Sequence, residues 1–222
     1  MRATTAGTVE RKRTASKEVR RQQLIDSTIE SIARYGLSAT TMATITKLAD
    51  LSQGIVNFHF KSKDRLLMEA VGHLADEHHA LWQKLYAQTG PSARERLSAL
   101  IESDYHPHIC NHKNLTVWFA FYGEKKYRDA YRERCGKIDE DRMSETARLC
   151  RLIKQEGGYH TVDASMFAQS LEAFTDGLWL NILLYPDMFT RQRAKDECFA
   201  YLASVFPQHF SAPSPSRNCR QQ

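Results

Sequence analysis

The chain has 222 residues, with 31 basic and 26 acidic side chains, a formal net charge of +5 and 42% hydrophobic residues. That length suits one or two domains. Five cysteines (Cys110, Cys135, Cys150, Cys198 and Cys219), odd in number and without CxxC spacing, argue against a disulfide framework or zinc site and for reduced thiols. No apolar run reaches membrane-spanning length and the N-terminus lacks a signal-peptide core, so a soluble cytoplasmic protein is expected.

The charge is unevenly placed. Residues 1–21 carry Arg2, Arg11, Lys12, Arg13, Lys17, Arg20 and Arg21 against Glu10 and Glu18, which is the whole excess of the chain. Residues 1–16 read as a basic flexible arm. Such a run suits either a plain solvated tail or contacts to a polyanion, phosphate or minor-groove contacts to DNA among them, with Arg13 and Lys17 as candidates. A first helix is expected from about Ser16 or Lys17 to Tyr35, stopped by Gly36.

Residues 41–66, TMATITKLADLSQGIVNFHFKSKDRL, read as helix, tight turn, helix, aromatic break and the start of a further helix. Thr41 suits an N-cap, and Ile45, Leu48 and Ala49 give one apolar stripe. Asp50 breaks the pattern, Leu51 seals the turn, Ser52 caps the next helix and Ser62 the one after. This is a helix-turn-helix pattern, and residues 17–64 are assigned as the DNA-binding domain. Ser52, Gln53 and Asn57 are the candidate base readers, since Gln53 and Asn57 fall at i and i+4 and amides pair bidentately with adenine. Gly54 lets backbone approach closely. Thr41, Thr44, His59 and Lys63 suit phosphate contacts, while Phe58 and Phe60 are expected in the core.

A long helix from Ser62 to before Gly90-Pro91 carries Leu66, Leu67, Ala70, Val71, Leu74, Leu81 and Leu85. Residues 65–210 read as a second helical domain. Its elements are a helix with Leu97, Leu100 and Ile101, a short aromatic helix Leu115–Tyr122, and a charged helix from about Lys125 to Glu156. Two apolar helices follow, Asp163–Tyr185 and Thr190–Phe206, each stopped by proline. The tail 211–222 is expected to be disordered. The fold class is all-α.

In the second domain, Trp118, Phe119, Phe121 and Tyr122 cluster on the short helix, and Glu172, Asp176 and Trp179 share one helical face. Carboxylates beside aromatic walls suit a quaternary ammonium, bound by charge and cation–π attraction. The same spacing suits an ordinary core, with Asp176 paired to an arginine. Phe167, Leu171, Phe174, Leu178 and Ile182 form one apolar stripe, and Phe199, Leu202 and Phe206 another; both suit an interface or an internal core. No Gly-rich phosphate loop, GxSxG or HExxH occurs, so neither enzyme nor cofactor is expected, and no metal site is assigned to the histidines.

The pattern of Thr41, Ile45, Ala49, Leu51, Ser52, Gly54, His59, Phe60, Lys61, Lys63 and Leu66, with Arg21, Leu24, Ile25 and Gly36 upstream, resembles the DNA-binding domain of TetR-type repressors. Asn57, where that family usually has Tyr, the segment Trp118–Tyr122 and the segment Asp176–Leu180 resemble the choline-responsive repressors of the betaine pathway. The resemblance implies a homodimer built by the last two helices and a palindromic operator. It also implies a ligand-binding and dimerisation domain holding a small cationic effector, choline or a relative, near Trp118, Tyr122, Glu172, Asp176 and Trp179. A sensor of lipophilic cations controlling other genes and a non-specific architectural DNA protein are the alternatives.

Overall fold

The structure is a computed structural model that describes the backbone of residues 6–213 and the side chains from Lys17 onward. Among the described residues there are nine α-helices and one short 3-10 turn, and no strand. They are α1 (Ala6–Tyr35), α2 (Met42–Ala49), α3 (Gln53–Phe60), α4 (Lys63–Ala87), α5 (Ala93–Asp104), α6 (His112–Gly123), α7 (Arg128–Gly157), α8 (Ala164–Leu184) and α9 (Arg191–Val205), with the 3-10 turn Lys125–Tyr127 before α7. Helix α1 starts upstream of the expected Ser16, because Glu10-Arg11-Lys12-Arg13 are good helix formers with no breaker among them. Arg13 itself lies outside the described side chains, as do residues 214–222 of the expected tail. The charged helix is shorter than expected at its start, since Lys125–Tyr127 forms the separate 3-10 turn.

The helix ends follow local chemistry. Gly36 adopts φ +79° after α1, a conformation that costs other residues a Cβ clash. Asp163 caps α8 by accepting from the Ser165 and Met166 amides, and Thr190 caps α9 through the Arg193 amide.

The chain divides into two compact units, one comprising residues through Leu74 together with Thr116–Arg134, the other Ala75–Leu115 with the chain from Cys135. In the first, Leu24, Ile25 and Ile32 of α1, Ile45 and Ala49 of α2, Val56 and Phe60 of α3, and Leu66, Leu67 and Ala70 of α4 are buried. Each such large side chain contributes about 1.5–3 kcal/mol by leaving water. In the second, Leu97, Leu100, Leu149, Ile153, Leu171, Leu178, Cys198, Leu202 and Phe206 are buried.

Candidate DNA-reading surface and effector residues

The sharp turn between α2 and α3 rests on Asp50, which takes the left-handed conformation (φ 50°, ψ 45°) and donates its amide to the Thr46 carbonyl. Aspartate tolerates this region better than most non-glycine residues. Leu51 donates to the same carbonyl at 3.1 Å, so the chain doubles back and α3 leaves at an angle. Gln23 of α1 reaches the Ala49 carbonyl at 2.6 Å, satisfying an end of α2 that would lack a helical partner. Two short helices, individually too short to be stable, are thereby held on α1.

Ser52, Gln53, Gly54 and Asn57 are all exposed on α3, while Val56 and Phe60 bury its other side. Ser52 stands at the N-cap but makes no side-chain capping bond, so its hydroxyl is available to a partner. A Cβ on Gly54 would meet only the Ser52 Oγ, at 3.8 Å; no protein packing requires glycine there. Thr41 is exposed, and its side chain and that of Thr44 form a reciprocal capping box. Thr44 also meets Ser31 at 3.0 Å, and the Lys63 ammonium donates to the Thr40 carbonyl at 3.0 Å. Thr44 and Lys63 therefore hold the fold together. His59 is half-buried; burial, then the Lys17 ammonium, lowers its pKa and favours the neutral ring.

One expectation is overturned. Phe58 is 71% exposed, whereas Phe60 is fully packed. An eight-residue helix has room for one buried face, and Val56 and Phe60, four apart, occupy it.

Of the candidate effector residues, Trp118 and Tyr122 lie in the first unit with Tyr131 of α7. The three rings have centroids 6.1, 6.4 and 5.8 Å apart. Tyr131 escaped sequence reading because it sits in a run of charged residues. The start of α4 belongs to the same unit: Asp64 accepts from the Tyr127 hydroxyl and from the Lys126 ammonium, both at 2.8 Å. The Lys126 and then the Tyr127 hydrogen bonds hold the Asp64 pKa low.

Glu172, Asp176 and Trp179 lie in the second unit, in and around a buried polar network. Arg142 of α7 donates to Asp104 at 2.7 Å and to Glu172 at 3.3 Å. His78 meets the other Asp104 oxygen at 2.9 Å, and its ring lies 5.8 Å from that of Trp179. Burial opposes ionisation of Asp104, but the Arg142 guanidinium and then His78 outweigh it and hold the pKa low. Glu172 is thus engaged by an arginine. Asp176 is not: it has no hydrogen bond or ion pair among the described residues. Its side chain is exposed on α8; partial desolvation, followed by the Glu172 and Asp104 carboxylates, raises its pKa to about 6 against the attraction of the Arg142 guanidinium. A separate cavity of about 620 Å³ lies between α5, α8 and α9, lined by Tyr105, His106, Ile182, Phe189, Arg191 and Lys195 among others. None of the candidate effector residues lines it.

On α8 the stripe Phe167, Leu171, Leu178 and Ile182 is internal core, with Phe174 half-buried. The apolar face that remains outward carries Met166, Ala173, Gly177, Leu180 and Leu184. No helix among the described residues is long and apolar enough to cross a membrane.

A helix-turn-helix whose second helix offers polar side chains outward, joined to a larger all-helical domain, defines a DNA-binding transcriptional regulator. Residues 24–70 match the family described as bacterial regulatory proteins, tetR family, and residues 93–207 match that described as BetI-type transcriptional repressor, C-terminal. The HTH-type transcriptional regulator BetI of Paraburkholderia phymatum is 32% identical over 80% of this chain and 88% of its own. That of Pseudomonas paraeruginosa is 29% identical over 83% and 91%. Among solved structures, a transcriptional regulator of Pseudomonas aeruginosa superimposes with a TM-score of 0.70 at 28% identity, covering 87% of this chain and 95% of that one. A regulator of Saccharomonospora viridis, determined in complex with choline, gives 0.69 at 22% identity, covering 82% and 94%. The chain belongs to the TetR family, with a BetI-type C-terminal domain; it is a transcriptional regulator and not an enzyme.

Proposed function

We propose that this repressor acts in the cytoplasm as a homodimer on a palindromic operator, and that choline or a closely related quaternary ammonium controls its DNA affinity. The regulated genes are then those converting choline to glycine betaine. The observation that carries the effector reading is Asp176, an exposed carboxylate with no hydrogen bond or ion pair among the described residues, whose pKa is raised to about 6 although Arg142 attracts it. A permanent cation would supply the missing charge. Within the other unit, the ring trio of Trp118, Tyr122 and Tyr131 is a separate candidate for such a cation, since a trimethylammonium offers no hydrogen bonds and is recognised by aromatic faces. The BetI-type domain match and the choline-bound relative agree with this reading. Trp179 and Glu172 act differently from the expected walls: Trp179 donates to the Asp104 carbonyl at 3.2 Å and Glu172 binds Arg142, so both position the network around Asp176.

The outward face of α8 supports dimerisation, because its central Ala173 and Gly177 permit close helix approach between Met166, Leu180 and Leu184. Ser52, Gln53 and Asn57 then read bases, and Lys17, Thr41 and His59 contact phosphate, joined by the upstream Arg13. An effector controls DNA binding only by favouring one of two conformations. The bonds from Tyr127 and Lys126 to Asp64 tie the first turn of α4 to the segment that follows α6, and so offer a route.

The test is fluorescence anisotropy of the purified protein on its own upstream DNA, at fixed salt, with and without millimolar choline. Specific binding weakened by choline supports the whole reading. Specific binding indifferent to choline discards the effector alone. Binding to every DNA alike discards the operator.

A further inference from the structure

Phe58 is the largest side chain on the outer face of α3 and is 71% exposed. Gln53, Gly54, Asn57 and Phe58, at i, i+1, i+4 and i+5, share that face opposite the buried Val56 and Phe60. The ring is not simply loose. The Lys17 ammonium of α1 lies 5.5 Å from its centroid, and the His59 ring packs edge-on at 5.1 Å. A phenyl ring here adds nothing to the core and is a poorer helix former than alanine, lysine or glutamine.

The major groove presents one apolar group on base edges, the C5 methyl of thymine. Adenine, the base an amide pairs with bidentately, carries thymine as its partner, so an A·T pair shows both features in one groove. Two amides and a phenyl on one helix face form the complementary set. We propose that Phe58 contacts a thymine methyl in each operator half-site, making it a specificity determinant. This rests on the operator-binding reading above. Lys17, held over the ring, completes the contact from the backbone side, where a phosphate flanks the base.

The experiment starts by selecting sites from a random duplex pool with the full-length protein. Each thymine in the selected site is then replaced by deoxyuridine, which removes only the methyl, and affinities are measured for wild type, Phe58→Ala and Phe58→Leu. Burial of one methyl group corresponds to about fourfold in affinity. One thymine per half-site is expected to lose about fourfold on replacement with wild type, and about sixteenfold when both half-sites change. Phe58→Ala is expected to bind thymine and deoxyuridine sites equally, and Phe58→Leu to retain part of the preference. Unchanged circular dichroism and melting temperature verify that the variants are folded. A selected site whose deoxyuridine forms bind wild type equally well, or a preference that persists in Phe58→Ala, overturns the proposal while leaving the repressor reading intact. Failure to select any site overturns both.

Discussion

The indole N–H of Trp179 donates to the main-chain carbonyl of Asp104 at 3.2 Å, while the Asp104 carboxylate takes Arg142 and His78. One residue at the end of α5 therefore gathers α4, α7 and α8. Removing its charge leaves Arg142 buried beside Glu172 alone. Asp104→Asn is expected to cost about 3–5 kcal/mol, the range for breaking a buried pair from one side. The sign with pH is set by the depressed folded pKa of Asp104. Its contribution is present above the unfolded value and lost as pH falls through the folded one, so the gap between wild type and variant narrows only below about pH 3.9. Urea denaturation at several pH values measures this. A gap that instead closes near pH 7 contradicts the assignment.

Asp176 has the opposite sign. Its folded pKa of about 6 lies above the unfolded value, so ionisation costs stability, and that cost appears as pH rises from about 4 to 6. Asp176→Asn is expected to raise stability at pH 7.5 by about 1 kcal/mol after discounting for solvent contact, or roughly 2–4 °C in melting temperature, and to leave pH 4 unchanged. Its choline affinity is expected to fall, and wild-type affinity to rise with pH through about 6, where the carboxylate ionises. Calorimetric titration at pH 5 and pH 7.5 reads both.

Much of the architecture is legible from local chemistry. The caps Asp163 and Thr190, the stop at Gly36, and the turn after Ala49 each act within four residues of where they appear in sequence. The buried network is not legible in the same way. Arg142 is one of many charges in a long charged helix, with nothing local to single it out, and its partner Asp104 is 38 residues away. Only packing brings them together, and burial then turns an ordinary arginine into a structural centre. Helix α8 misleads for another reason. It is apolar on two faces, and sequence periodicity alone does not say that Phe167–Ile182 turns inward while Met166–Leu184 stays outward. Phe58 is the same problem on a shorter helix.

Gly54 separates stability from function. Its Cβ position meets nothing closer than the Ser52 Oγ at 3.8 Å, and glycine in a helix costs about 0.5–1 kcal/mol relative to alanine. Gly54→Ala is expected to stabilise the protein by up to that amount. If the surface faces DNA at close range, the same methyl weakens operator binding. Thermal melting and anisotropy on one preparation decide it; a variant that is more stable and binds equally well places the DNA further from this helix turn.

Lys17 and Gln53 are expected to fail in different ways on DNA. Lys17 is an exposed cation over Phe58, suited to a phosphate. Lys17→Ala is expected to weaken specific and non-specific DNA alike and to reduce the slope of log affinity against log salt by about 1 per chain. Gln53 is an exposed amide in the first turn of α3, suited to a base edge. Gln53→Ala is expected to lose about 1–3 kcal/mol on the operator alone, with the salt slope intact. Affinities at four salt concentrations on operator and scrambled duplexes distinguish the two. An unchanged salt slope in Lys17→Ala, or equal losses on both duplexes in Gln53→Ala, reverses the corresponding role.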